Sequence, residues 1–204
     1  MKIFVWGSNY PLDNKPAFNP FPNRGVPFLY MKPDSALLKD GKPFFLPDFL
    51  TDVCASAAVV VRLNRLGKSV PARFASRYYA EATVGVDLFA RGDAGQLSSQ
   101  GLPWDLAVGF DGSAVVGRFV PVAPVGEKNL AFELRINGQT VQSGSTDRLV
   151  TGVDEGISFL SRYYILKTGD LVYTGSPGVP APLQIGDRLE GYLDGEKLLD
   201  FHIR

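Results

Sequence analysis

The segment Cys54-Ala55-Ser56-Ala57-Ala58-Val59-Val60-Val61-Arg62-Leu63 decides how this chain is to be read. Its small and β-branched residues run on without Gly or Pro and predict a buried strand over residues 56–65. Side chains two apart on a strand share a face, so Ser56 and Ala58 are expected to point into one space. Gly (22) and Pro (15) punctuate the rest of the chain into short apolar runs. That is the pattern of a strand-rich fold with many turns, not of a helical bundle.

Outward from this segment, residues 1–6, 28–31, 44–46 and 82–89 read as further strands. Residues 7–27 are crowded with Pro11, Pro16, Pro20, Pro22 and Pro27 and read as an irregular, lid-like loop. Ser69 is placed to cap a helix with Pro71 in its first turn, running through Phe74 and Tyr78 toward Glu81. Asp105 to Phe110 reads as a short helix or turn, and Asp154 to Tyr164 has helical apolar spacing. Asn137-Gly138 between Leu130–Ile136 and Thr140–Ser145 is a two-residue hairpin signal. Asp194-Gly195 marks a second hairpin, and residues 171–173, 188–193 and 198–203 complete a strand-rich C-terminal part.

The 204 residues suit one domain, 1–204, large enough to bury a core without disulfide or metal staples. Lys plus Arg (21) balance Asp plus Glu (21), so no net basic field draws nucleic acid or an anionic membrane. The single cysteine, Cys54, has no intramolecular partner and sits among small apolar residues as a structural thiol. The first residues hold too short an apolar run for a signal core or membrane span, and a cytoplasmic protein is expected. The one histidine, His202, lies two residues from the C-terminus, which removes the usual internal base or metal ligand.

Several separated segments resemble the fumarylacetoacetate hydrolase family, C-terminal-domain type, in the family's order. Phe28-Leu29-Tyr30-Met31-Lys32-Pro33 resembles its Phe-Leu-Lys-Pro segment, Val61 to Lys68 the strand and turn after its metal-ligand pair, and Gly85 to Arg91 its Asp-x-Thr-Ala-Arg segment. Pro103-Trp104, Phe110-Asp111-Gly112-Ser113, Gln142-Ser143-Gly144 and Thr174-Gly175-Ser176-Pro177 continue the match. The resemblance implies an α+β, mostly β fold: a mixed β-sandwich or β-roll with a few short helices, in a homodimer. It also implies a Mg or Mn site facing a pocket for a small 2-oxo acid or dicarboxylate, where the metal stabilises an enolate.

At the chemistry itself this chain departs from the family. Ser56 and Ala58 stand where the resemblance places a Glu-x-Glu metal pair, leaving Asp87 as the one family-like ligand, and that is too little charge for a hard cation. Val108 takes the place of a lysine. Asp13 and Pro16 fall near a lid His and Glu, and Ala94 near a substrate-binding Gln. Lys32, Arg91, Gln142, Thr174 and Ser176 are expected to line a polar pocket for a small anionic ligand. The four losses predict a catalytically silent or much weakened member needing no cofactor, with Mg or Mn only if the residual site works. The competing reading is an active hydrolase, isomerase or decarboxylase of 2-oxo acids or acylpyruvates with a rebuilt or metal-poor site.

Overall fold

The computed structural model describes residues 1–11, 28–39 and 41–204. Its strands, in chain order, are β1 (Ile3–Gly7), β2 (Phe28–Lys32), β3 (Leu37–Leu38), β4 (Val53–Leu63), β5 (Tyr79–Ala90), β6 (Ala114–Val116), β7 (Val120–Pro121), β8 (Ala131–Ile136), β9 (Gln139–Ser145), β10 (Leu171–Tyr173), β11 (Ala181–Pro182), β12 (Arg188–Leu193) and β13 (Glu196–His202). There are three α-helices among the described residues, α1 (Arg91–Ser99), α2 (Asp105–Val108) and α3 (Val153–Tyr163), and 3-10 segments at Asp34–Ala36, Ala72–Tyr78 and Thr146–Arg148. The expected mostly-β fold with few short helices is what forms.

Among the described residues the strands make two sheets. The larger follows the order β2-β1-β10-β4-β5-β6-β3, with β11 and β7 added beside β4 and β5; the smaller is β13-β12-β8-β9. The larger sheet is mixed, since β1 runs parallel to β10 and β3 parallel to β6. It also curls. The Tyr173 hydroxyl on β10 donates to the Val115 carbonyl on β6 at 2.9 Å, although three strand spacings on a flat sheet would put them about 14 Å apart.

Curling gives the central strands two buried faces, which is why β4 reads as a continuous apolar run and not an alternation. Its odd-numbered residues, Val53 to Leu63, pack toward the smaller sheet and α3 in the main core, with Val84, Val86 and Leu88 of β5. Its even-numbered residues face the inside of the curl, where Ala58 and Val60 meet Ile3, Val5 and Tyr173. Gly85 is required there: a Cβ would lie 2.5 Å from Val60 Cγ2 and 2.9 Å from the Val115 carbonyl.

Asn137 and Gly138 both have positive φ, 52° and 79°, and join β8 to β9 as the hairpin signal predicts. The helix expected after Ser69 is instead a 3-10 segment, Ala72–Tyr78, with Pro71 at its start and no side-chain cap. Ser69 has φ 52° and donates its backbone N–H to Ser161, so it cannot cap. Phe44 to Leu46 forms only an isolated bridge from Phe44 to Ile203. Helix α1 forms although Gly92 and Gly95 weaken its helical pattern. No helix among the described residues is long and apolar enough to cross a membrane.

Candidate active site

Antiparallel pairing sets Ser56 of β4 opposite Asp87 of β5, and Ala58 opposite Gly85, on the inner face of the curl. The neighbouring strand β2 presents Phe28, Tyr30 and Lys32 at alternate positions beside Gly7, Val5 and Ile3 of β1. A fourth wall is the loop after β10. Gly175, at φ 103°, lets that loop close onto β1, since a Cβ there would lie 2.8 Å from Asn9 Cβ and 3.0 Å from the Trp6 carbonyl. Asn9 staples the two: its Nδ2 donates to the Thr174 carbonyl at 2.8 Å and to the Thr151 carbonyl at 2.9 Å.

These elements line a partly open cavity of about 70 Å³, with Ser8, Ser56, Asp87, Tyr30 and Ser176 among its polar residues and Ala58, Phe28, Phe89, Trp104 and Val108 among its apolar ones. Helix α2 contributes Val108, which packs with Cys54 and Phe89 against Tyr30 and Trp104. Trp104 meets the Tyr30 ring edge-on at 5.1 Å and the Phe28 ring at 6.0 Å.

Asp87 is the chemical centre and is already engaged. The Tyr30 hydroxyl donates to its Oδ2. The Lys32 ammonium lies 2.6 Å from Oδ1, while it also donates to the Leu88 and Ser113 carbonyls at 2.8 and 2.9 Å. Oδ1 itself has the ion contact but no hydrogen bond of good geometry. Burial lowers the Lys32 pKa, and the nearby carboxylate opposes that shift. Burial, with the charge of Asp87 next, drives the Tyr30 hydroxyl well above the usual phenol range, so it stays a donor.

These residues do not fit the divalent metal that the resemblance implies. Ser56 offers a neutral hydroxyl, Ala58 offers nothing, and both oxygens of Asp87 face a lysine or a tyrosine hydroxyl. Among the described residues no cluster of three or more His, Cys, Asp or Glu could hold a metal ion. Mg and Ca sites draw on several oxygen ligands, of which one committed carboxylate is a poor remnant.

The structure gathers Ser56, Ala58, Asp87, Val108 and Ser176 around one cavity, and it moves the other expected ligand-binding residues away from it. Lys32 is wholly buried behind Asp87, its protons spent on protein acceptors. Arg91 starts α1 and pairs outward with Asp52 at 2.6 Å, because the strand ends one residue earlier and the chain turns away. Gln142 is a brace below Ser176: its Oε1 accepts from the Ala57 N–H at 2.7 Å and its Nε2 donates to the Val179 carbonyl at 3.0 Å. Thr174 is buried with its Oγ1 unpartnered, on the opposite face of β10's continuation from Tyr173. Ala94 lies in the main core and not at the cavity. Asp13 and Pro16, with the rest of the lid-like loop at 12–27, lie outside the described residues.

Tyr30, Trp104 and Asn9 are site residues that sequence reasoning passed over. The alternation Phe28, Tyr30, Lys32 was the available signal, since a strand that aims Lys32 at Asp87 aims Tyr30 the same way. Nothing local marks Asn9, whose partners are 142 and 165 residues away.

The family model for the fumarylacetoacetate (FAA) hydrolase C-terminal matches residues 2–200. The chain belongs to the fumarylacetoacetate hydrolase family. Within this family it is 30% identical over 199 residues to the oxaloacetate tautomerase YcgM of Escherichia coli, covering 97% of this chain and 90% of that protein. It is 30% identical over 179 residues to the mitochondrial oxaloacetate tautomerase FAHD1 of Mus musculus, covering 87% and 81%. Its fold superposes on the crystal structure of fumarylpyruvate hydrolase from Pseudomonas aeruginosa in complex with Mn2+ and pyruvate with a TM-score of 0.89 at 27% identity, covering 100% of this chain and 89% of that one.

Proposed function

We propose that this fumarylacetoacetate hydrolase-family chain is an active enzyme with a rebuilt, metal-poor site, and that it interconverts keto and enol forms of a small 2-oxo acid or acylpyruvate. The observation that carries the reading is the buried Lys32–Asp87–Tyr30 cluster opening onto the cavity lined by Ser56 and Ser176. Among the family's reactions, enolisation asks least of a site without a metal. A proton leaves the carbon next to the oxo group, and a proton is returned to the oxo oxygen. No bond between heavy atoms breaks and no water is activated.

Asp87 is the base that takes the carbon-bound proton and delivers it to the oxygen. Tyr30 and Lys32 are positioning residues that hold the carboxylate's orientation from two sides, and the Ser56 and Ser176 hydroxyls lie where they can hydrogen-bond the substrate. Relatives named for oxaloacetate tautomerisation and fumarylpyruvate hydrolysis support activity over the silent reading that the sequence first suggested. One observation favours silence: both oxygens of the carboxylate are already engaged, one by the Tyr30 hydroxyl and the other by the Lys32 ammonium.

The test follows the enol absorbance of oxaloacetate and acetylpyruvate in chelator-treated protein. Turnover insensitive to chelator, and reduced about 100-fold or more in Asp87→Asn, is expected. Ligand binding without turnover, with or without added Mn, rejects the enzymatic reading and returns the silent one. The homodimer implied by family resemblance belongs to this proposal and is checked by light scattering. So does a reducing compartment such as the cytoplasm, which the buried, unpaired Cys54 supports.

A further inference from the structure

Between Asp52 and Glu81 the chain carries no acidic residue, while Arg62, Arg65, Lys68, Arg73 and Arg77 all fall within that stretch. The fold adds Arg162 and Lys167 to the same surface. The turn after β4 pairs with the chain leaving α3: Gly67 and Leu166 exchange backbone hydrogen bonds at 3.1 and 2.8 Å, and the Lys68 ammonium donates to the Arg162 carbonyl at 3.0 Å. Asn64 donates its N–H to the Tyr78 carbonyl at 2.9 Å, which brings the 3-10 segment Ala72–Tyr78 alongside. Of these cations only Arg62 has a carboxylate partner among the described residues, Glu81, and the other six are exposed. Asp170 is buried against Lys2, and Asp154 and Glu155 lie in the first turn of α3, at its far end from Arg162. The residues outside the described ones bring Asp13 and Asp40 against these six, together with Lys15 and Arg24.

Apolar tips stand among the cations. Leu166 turns inward at 0% exposure and the residues flanking the bridge turn outward, so Leu66 and Ile165 are 70% and 53% exposed beside Lys68 and Lys167. Phe74 is already covered by Arg73 and Arg77, each guanidinium 4.9 Å from the ring centroid. Nucleic acid would use the cations together with a stacking ring, and aliphatic tips offer bases no such platform. An anionic bilayer uses both features: its headgroups meet the cations, and the aliphatic tips enter the acyl boundary. We propose that this surface docks the protein on an anionic lipid bilayer, with Leu66 and Ile165 between the headgroups and Arg65, Lys68, Arg162 and Lys167 around them. The chain's zero net charge does not oppose this, because beyond a Debye length of about 10 Å charges elsewhere on the protein are screened. Ser56, at the cavity, lies about 23 Å before Leu63 along β4, so docking leaves the cavity clear of the bilayer.

The experiment is co-sedimentation of the full chain with vesicles of phosphatidylcholine alone, and with about one third phosphatidylserine, at about 0.1 M salt. Binding to the anionic vesicles about tenfold tighter or more is expected, with release as salt rises toward about 0.5 M. Lys68→Glu/Lys167→Glu should weaken that binding about 30-fold or more. Leu66→Ser/Ile165→Ser, which leaves every charge in place, should weaken it about tenfold. No preference for anionic vesicles, charge reversal without effect, or wild-type binding by Leu66→Ser/Ile165→Ser overturns the inference. So does displacement from the vesicles by an equal charge of polyglutamate or of single-stranded oligonucleotide. All four side chains are exposed, so thermal denaturation of both variants should match the wild type. If the charge-reversed variant does not fold, the salt series and the Leu66/Ile165 variant decide.

Discussion

Asp87, Lys32 and Tyr30 carry the site's balance at the scale of single residues. A buried ion pair is costly to assemble but more costly to break, because the surviving charge is left in a medium that cannot solvate it. Lys32→Met should therefore destabilise the chain by about 3–5 kcal/mol, read from urea denaturation, and adding Asp87→Asn should recover part of the loss. Tyr30→Phe removes one hydrogen bond to a charged group and should cost about 1.5–3 kcal/mol by the same measurement. Ser56 and Ala58, which carry no carboxylate, make a metal prediction as well. Mn titrated into the wild-type chain and followed by electron paramagnetic resonance should stay free, whereas Ser56→Glu/Ala58→Glu should bind it; tight binding by the wild type that is lost in Asp87→Asn would contradict the donor set described here.

At the scale of elements, the pairing of β4 with β5 positions the chemistry, since a slip of one residue would turn Ser56 and Asp87 away from the cavity and into the core. Gly85 protects that register by letting Val60 and Tyr173 close over it. Gly85→Ala should lower stability by about 1–3 kcal/mol and reduce activity with it, measured by thermal denaturation and by enol turnover. The second positioning element is the loop after β10, held by Asn9. Asn9→Ala would leave the Thr151 N–H without its acceptor and free the loop carrying Ser176, so ligand binding should weaken more than the fold does.

Across the whole molecule, the acidic residues set how the fold answers pH. Asp200 is held down to about 2, chiefly by its hydrogen bond to Arg188, and Asp52 and Glu133 are lowered by Arg91 and Arg135. Carboxylates whose folded pKa is depressed contribute stability above the unfolded value near 4 and lose it as pH falls through the folded one. Stability should accordingly decline from about pH 4 toward pH 2, and less steeply in high salt, because these pairs are exposed and screened. Asp154 has the opposite sign: burial raises its pKa, so its ionised form burdens the fold above the unfolded value. Asp154→Asn should raise the denaturation midpoint at neutral pH, with the gain vanishing below about pH 4.

Much of this was written locally. The run from Cys54 to Leu63, the Asn-Gly and Asp-Gly turns and the order of family-like segments determine a strand-rich fumarylacetoacetate hydrolase fold. They also place Ser56 and Ala58 side by side on one strand face, where the resemblance implies a carboxylate pair, because strand alternation and turn chemistry act over a few residues. What surrounds that face was decided only by the tertiary structure. Lys32 and Arg91 are both cations in family-like segments, yet one is buried against Asp87 and the other turned out to Asp52. Tyr30 and Asn9 gain their roles from partners 57 and 165 residues away. Curling of the large sheet is the physical reason: it gives β4 and β5 an inner face, sets which side chains meet there, and separates an apolar wall at Val108 from the polar one at Asp87.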